Sequence, residues 1–302
     1  MRSSFLGVTD HITSIIESIV VISITIAGAI IANQKSDILY LFLGIIISET
    51  IIIVALVIYI SNIKKRNMLM LNNLIFKLHS QFVHKTRNHM HKLNSIKKKV
   101  KSIKNNKDEY NEIYMREYEK VKEVLQPVVN CISEILSDYS KQTISSCIKI
   151  FMMDELKENP LDRHVTTFVR SENTSINRGS DEADFIDVKK NTDFRRLCNG
   201  RAMFACGDLR ALHKKGLYKN DSKNWQNKYN SSLVVPIRYK PEIQIPKKKS
   251  NIYILGFICI DSEKNNIQWE ERDCLEVQFL GMFADTIYMY LNEFIDCFLG
   301  EC

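Results

Sequence analysis

The chain has 302 residues, with 42 Lys and Arg against 35 Asp and Glu, eight Cys and five Pro. Hydrophobic residues at 45% and charged residues at 25% sit near globular averages, which excludes wholesale disorder, a collagen-like fibre and a disulfide-dense miniprotein. Apolar and basic residues are segregated, however: residues 61–107 carry 13 Lys and Arg and no Asp or Glu, so the rest of the +7 chain sums to −6.

In chain order, the first expected elements are two apolar helices. Residues 38–60 form a 23-residue run whose one acidic side chain is Glu49, and about 20 residues at helical rise span a bilayer core. A shorter apolar run covers 15–31 and reaches spanning length if it extends to 12–32. A signal peptide is the competing reading, disfavoured by Asp10 before the apolar run and Glu17 within it. Residues 1–62 thus read as a two-helix transmembrane anchor. Lys64, Lys65 and Arg66 follow the second run directly, which by the positive-inside rule puts both termini in the cytoplasm. Glu49, at mid-span, is expected to be neutral, paired or facing water.

Residues 63–125 read as a basic helical connector. Leu71, Ile75, Leu78 and Phe82, then Leu93, Ile96, Val100 and Ile103, recur at heptad spacings. The eleven-residue step from Phe82 to Leu93 reads as a stutter. A parallel coiled coil and a homodimer or higher oligomer follow as expectations. Lys and Arg next to the membrane suit anionic lipid, making the bilayer a partner. No aromatic residues interleave the later lysines, so no specific nucleic acid is expected. A second helix is expected from Asp108, kinked or restarted at Pro127.

Within this connector, Phe82-Val83-His84-Lys85-Thr86-Arg87-Asn88-His89-Met90 resembles the phosphoacceptor helix of histidine kinases over about ten residues. The resemblance implies phosphotransfer through His84. Lys85 stands where that family has an acid, and no Gly-rich phosphate loop follows. A degenerate dimerisation hairpin is the other reading. His79, His84, His89 and His91 lack the neighbouring ligands of a metal site.

Residues 126–302 change character. Alternating or β-branched stretches at 145–152, 164–169, 232–238 and 252–260 read as strands, with Pro236 suited to an edge or bulge. Residues 275–298 read as an amphipathic helix. This order resembles a GAF domain. The likeness is carried by Trp225-x3-Tyr229-x-Ser231-Ser232-Leu233-Val234-Val235-Pro236-Ile237-Arg238, by Leu255-Gly256-Phe257-x-Cys259-Ile260-Asp261-Ser262, and by Asp193-Phe194-x3-Cys198-x-Gly200-x3-Phe204-x3-Asp208-Leu209. It implies an α+β fold, an antiparallel sheet with helices on one side and a small-molecule pocket over the sheet. Its expected lining is Phe194, Phe204, Asp208, Trp225, Tyr229 and Ser231. For Asp208 the alternative is a helix cap, and for Trp225 and Tyr229 simple packing.

None of the eight cysteines forms a C-x-x-C pair. They read as buried free thiols, with Cys198 and Cys206 flanking the pocket as candidates for redox sensitivity. No catalytic constellation emerges, so the chain is not expected to be an enzyme, and no cofactor is assigned. The expected whole is a bacterial inner-membrane signalling protein whose GAF-like sensor is coupled to the membrane helices through a dimeric coiled coil. The alternatives are a membrane-disrupting anti-phage effector gated by a nucleotide-like ligand, and a degenerate phosphotransfer protein.

Overall fold

The computed structural model describes residues 28, 36–103, 105–140, 142–152, 155, 159–172, 185–222, 224–239, 253–263 and 275–299. The chain divides into two compact units, residues 1–77 and 78–302.

In the first unit the described element is the beginning of helix α1 (Ser36–Ile103). Its residues 54 and 56–60 carry exposed apolar side chains, from Ile60 at 39% to Tyr59 at 64%. The membrane hairpin expected from sequence is corrected here. Among the described residues, no helix is long and apolar enough to cross a membrane. The expected inner-membrane location with two cytoplasmic termini loses its support with the hairpin. Of the first expected span, 12–32, only Gly28 is described, and the side chain of Glu49 also lies outside the described residues.

The second unit begins with the remainder of α1. The chain turns at Asn106 and returns in helix α2 (Lys107–Ser140), which opens on Asp108 and Glu109. Negative charge there complements the positive end of the helix dipole. Pro127 lies inside this helix, which continues past it to Ser140 rather than restarting. Next come strand β1 (Ile144–Phe151), β2 (His164–Arg170) and the short β3 (Ile186–Asp187). Three short helices and a strand follow: α3 (Thr192–Cys198), β4 (Phe204–Cys206), α4 (Leu209–Lys214) and α5 (Trp225–Lys228). Strands β5 (Ser231–Tyr239) and β6 (Tyr253–Ser262) lead to the last helix, α6 (Leu275–Leu299).

The strands form one antiparallel sheet in the order β3-β2-β1-β6-β5-β4. Side chains alternate between the two faces of a strand, and the register assigns them. Cys147, Cys259, Val234 and Phe204 form one row across β1, β6, β5 and β4, on the face that carries α3 to α5. Ser146 points to the other face, where its hydroxyl donates to the carbonyl of Val129 in α2 (2.5 Å). There α2 packs on β1 and β2, and α6 on β5 and β6. The fold is α+β, and it has the helical layer on one side of the sheet that the GAF resemblance implies. Pro236 lies beyond the stretch of β5 that β4 covers, Ser232–Val234. Its missing N–H therefore breaks no β4–β5 ladder.

From Leu78 on, the apolar stripe of α1 is used inside the chain. Phe82 stacks on Phe283 of α6 (5.8 Å), and Leu93 accepts from the thiol of Cys297 through its carbonyl (3.6 Å). Phe82, Thr86, His89, Leu93 and Val100 are all buried. Their spacings are 4, 3, 4 and 7, so the heptad runs on without a stutter. The sequence hid this because two of its seam positions are polar. The coiled coil expected between chains is, over these residues, a seam with the chain's own α2 and α6.

Candidate ligand-binding face of the sheet

On the face opposite the helical layer, the sheet floor is built by Cys147 and Phe151 of β1, Val234 of β5 and Phe257 and Cys259 of β6. The roof is the segment from Ile186 to Asn230. Reciprocal main-chain and side-chain bonds tie its parts together. Thr192 N donates to the Lys219 carbonyl (3.0 Å), and Lys219 N donates to the Thr192 hydroxyl (2.8 Å). Asp221 N donates to Asn191 Oδ1 (3.1 Å). The start of α3 and the stretch around Tyr218 are thereby fixed side by side.

Four of the six expected lining residues come together here. Phe194 stacks on Phe257 with ring centroids 4.6 Å apart, and Phe204 stacks on Tyr218 at 5.9 Å. Trp225 meets the edge of Tyr218 at 5.1 Å and the ring of Tyr229 at 5.9 Å. Such pairs add about 0.5–1.5 kcal/mol each beyond their buried area. The other two are placed elsewhere. Asp208 caps α4, its Oδ1 accepting from Ala211 N (2.9 Å). Ser231 is one residue out of phase. Its neighbour Ser232 pairs with Asp261 on the ligand-face row, and Ser231 itself faces the helical layer.

A chain of polar groups runs through the aromatic shell. The Tyr218 hydroxyl donates to Asp193 Oδ2 (3.4 Å), while Asn220 Nδ2 donates to the hydroxyls of Tyr218 (2.9 Å) and Tyr229 (2.7 Å). Asp193 Oδ1 accepts from Phe194 N (2.9 Å). Burial, reinforced by the nearby Asp261 carboxylate, pushes the Asp193 carboxyl up to about 6. Burial and the Asp193 charge likewise hold the Tyr218 hydroxyl protonated, well above its ordinary range. Tyr218 thus stays a donor, with Asp193 Oδ2 accepting from it. Lys149 lies on the same face, bonded to the Thr167 hydroxyl (3.0 Å). Sequence reasoning quoted Asp193 and Asp261 within its motifs but passed over them as site residues. It missed Tyr218 and Asn220, which carry no motif.

His84 is exposed on α1, flanked by Arg87 (3.2 Å from Nδ1) and Asn88 (3.4 Å from Nε2). His89, five residues on, is buried in the helical seam instead.

No protein-family model and no curated protein matches the chain. Among solved structures it is similar to fRMsr of Staphylococcus aureus in complex with substrate. The identity is 15% and the TM-score 0.34, over 59% of this chain and 95% of that one. The reduced form of fRMsr gives 14%, 0.33, 59% and 94%. A far-red cyanobacteriochrome photoreceptor gives 10% identity and a TM-score of 0.40, over 63% of this chain and 97% of that one.

Proposed function

We propose that residues 126–302 form a GAF-like sensor domain that binds a small molecule on the sheet face bearing Asp193, and that the chain is a signalling protein rather than an enzyme. The observation that supports this is the convergence of Asp193, Tyr218, Asn220 and Tyr229, hydrogen-bonded in series, inside a shell of Phe194, Phe204, Trp225 and Phe257. Small-molecule sites combine apolar walls with a few placed polar groups in this way. Asn220 and Tyr229 are the half-buried members of the set and mark the side from which a ligand enters. Occupancy would reach α1 through the sheet, since α2 and α6 pack on its other face and also hold α1.

The test is a thermal-shift and calorimetric screen of the full chain against nucleotides and metabolites. The expected result is a ligand that raises the Tm and loses at least tenfold affinity in Tyr229→Phe or Asp193→Asn. If no compound shifts the wild-type Tm, or if both variants bind as the wild type does, the reading fails.

A further inference from the structure

Cys147 of β1 and Cys259 of β6 are direct cross-strand partners, both buried, on the sheet face beneath α3. Directly opposed residues of an antiparallel pair have Cα atoms about 4.5–5.5 Å apart. A disulfide needs about 4.4–6.8 Å with both Cβ atoms on one side, and the shared face meets that condition. The register therefore places these two thiols side by side, within the Cα separation a disulfide requires. Cys198 and Cys206, the pair to which sequence reasoning pointed, have no such relation. Cys206 pairs with Ser232 across β4 and β5, and Cys198 ends α3, its thiol donating to the Pro160 carbonyl (3.9 Å).

We propose that Cys147 and Cys259 are a two-electron redox couple in which Cys147 is the attacking sulfur, Cys259 the resolving one and a small uncharged hydroperoxide the oxidant. The charges around the pair support this polarity. Against burial and the Asp261 carboxylate, Cys147 has Cys259 as a hydrogen-bonding partner and the positive charges of Arg170, its partner across β1 and β2, and Lys149 nearby. Together they bring Cys147 down to about 6 despite its burial. Burial and the same partner push Cys259 well up. Cys131, Cys198, Cys206 and Cys297 are all raised by burial, so among the described cysteines Cys147 alone is shifted toward the thiolate. The thiolate is the nucleophile in such chemistry.

The step balances. The Cys147 thiolate attacks one oxygen of hydrogen peroxide, the O–O bond breaks, and hydroxide leaves a sulfenic acid on Cys147. The Cys259 sulfur then attacks the Cys147 sulfur, its proton joins the departing hydroxyl as water, and the S–S bond forms. Two electrons pass from the thiols to the peroxide. Because both sulfurs are buried, bulky disulfide oxidants are excluded and the oxidant must be as small as hydrogen peroxide.

The experiment treats the full reduced chain with hydrogen peroxide, quenches it by alkylation in denaturant, and maps peptides by mass spectrometry. The expected product has lost two of its eight alkylatable thiols, contains a cross-linked peptide joining residues 147 and 259, and reverts with dithiothreitol. Glutathione disulfide is expected to form it at least tenfold more slowly. In Cys259→Ser the reaction is expected to stop at a Cys147 sulfenic acid, trapped by dimedone. Should the peroxide-treated wild type keep all its thiols, or cross-link other cysteines, the proposal is overturned. The wild-type map decides this even if the variant does not fold.

Discussion

Nε2 of His89 lies 2.8 Å from Oε2 of Glu117, and both side chains are buried where α1 meets α2. The other ring nitrogen, Nδ1, is 2.5 Å from the Tyr290 hydroxyl of α6. One imidazole therefore joins three helices. Burial alone would raise the Glu117 carboxyl, but hydrogen bonds from His89 and Arg116, with the charge of Lys92, outweigh it and hold the group below its usual range. Removing one partner of a buried pair strands the other and costs about 3–5 kcal/mol. Glu117→Ala is expected to lose about 3 kcal/mol of unfolding free energy in urea, and Glu117→Ala with His89→Leu markedly less than the sum of the two single changes. Additive losses would sink the pairing.

Asp193 gives stability a definite dependence on pH. Its carboxyl moves from an ordinary 3.8 to about 6 because it is buried beside Asp261, a difference of roughly 3 kcal/mol at about 1.4 kcal/mol per unit. The folded chain holds this proton to higher pH than the unfolded one. The stability contribution is therefore fully present below about pH 4, is lost as pH rises to about 6, and is level above that. In Asp193→Asn this fall is expected to vanish. The measurement is the difference in unfolding free energy between variant and wild type from pH 4 to 8, and a difference that does not vary with pH would contradict it.

Gly256 is required by a close approach of backbones. A Cβ at this position would lie 2.1 Å from the Lys149 carbonyl oxygen and 2.9 Å from Ile150 Cα. Neither is a flexible side-chain end, so the strands themselves must part. Gly256→Ala is expected to destabilise the domain by about 2 kcal/mol or more, read as a lowered Tm. A Tm within a degree of the wild type would show that β1 and β6 are not in this register.

Asp208 separates capping from ligand contact. Replacing an N-cap Asp by Ala costs about 1 kcal/mol, so Asp208→Ala is expected to lower the Tm modestly. It should leave unchanged the affinity for any compound found in the screen. A tenfold loss of affinity with an unchanged Tm would return Asp208 to the ligand site.

The elements written in strong patterns were legible: β5 and β6 are runs of β-branched and apolar residues, and α6 is amphipathic over its length. Strands β3 and β4, of two and three residues, are too short to carry a period. The aromatic members of the site, Phe194, Phe204, Trp225 and Tyr229, could be found because motifs framed them. Ser231 could not be told from Ser232, since one residue decides the face of a strand and both are serines. Tyr218 and Asn220 lie in a stretch without regular structure, and only the fold brings them to Asp193. Thr86 and His89 were passed over because a buried seam was sought in apolar residues alone.

Of these two polar positions, His89 makes α1 unable to sit anywhere else along its groove. Phe82, Leu93 and Val100 are interchangeable greasy rungs, and a helix lined only by such rungs slides by a heptad at little penalty. Slid seven residues either way, α1 would set Phe82 or Ile96 against Glu117, leaving a carboxylate without its partner in an apolar wall. His89 thus works as an address: it lets the chain recognise one alignment of its own helices and reject the neighbouring ones.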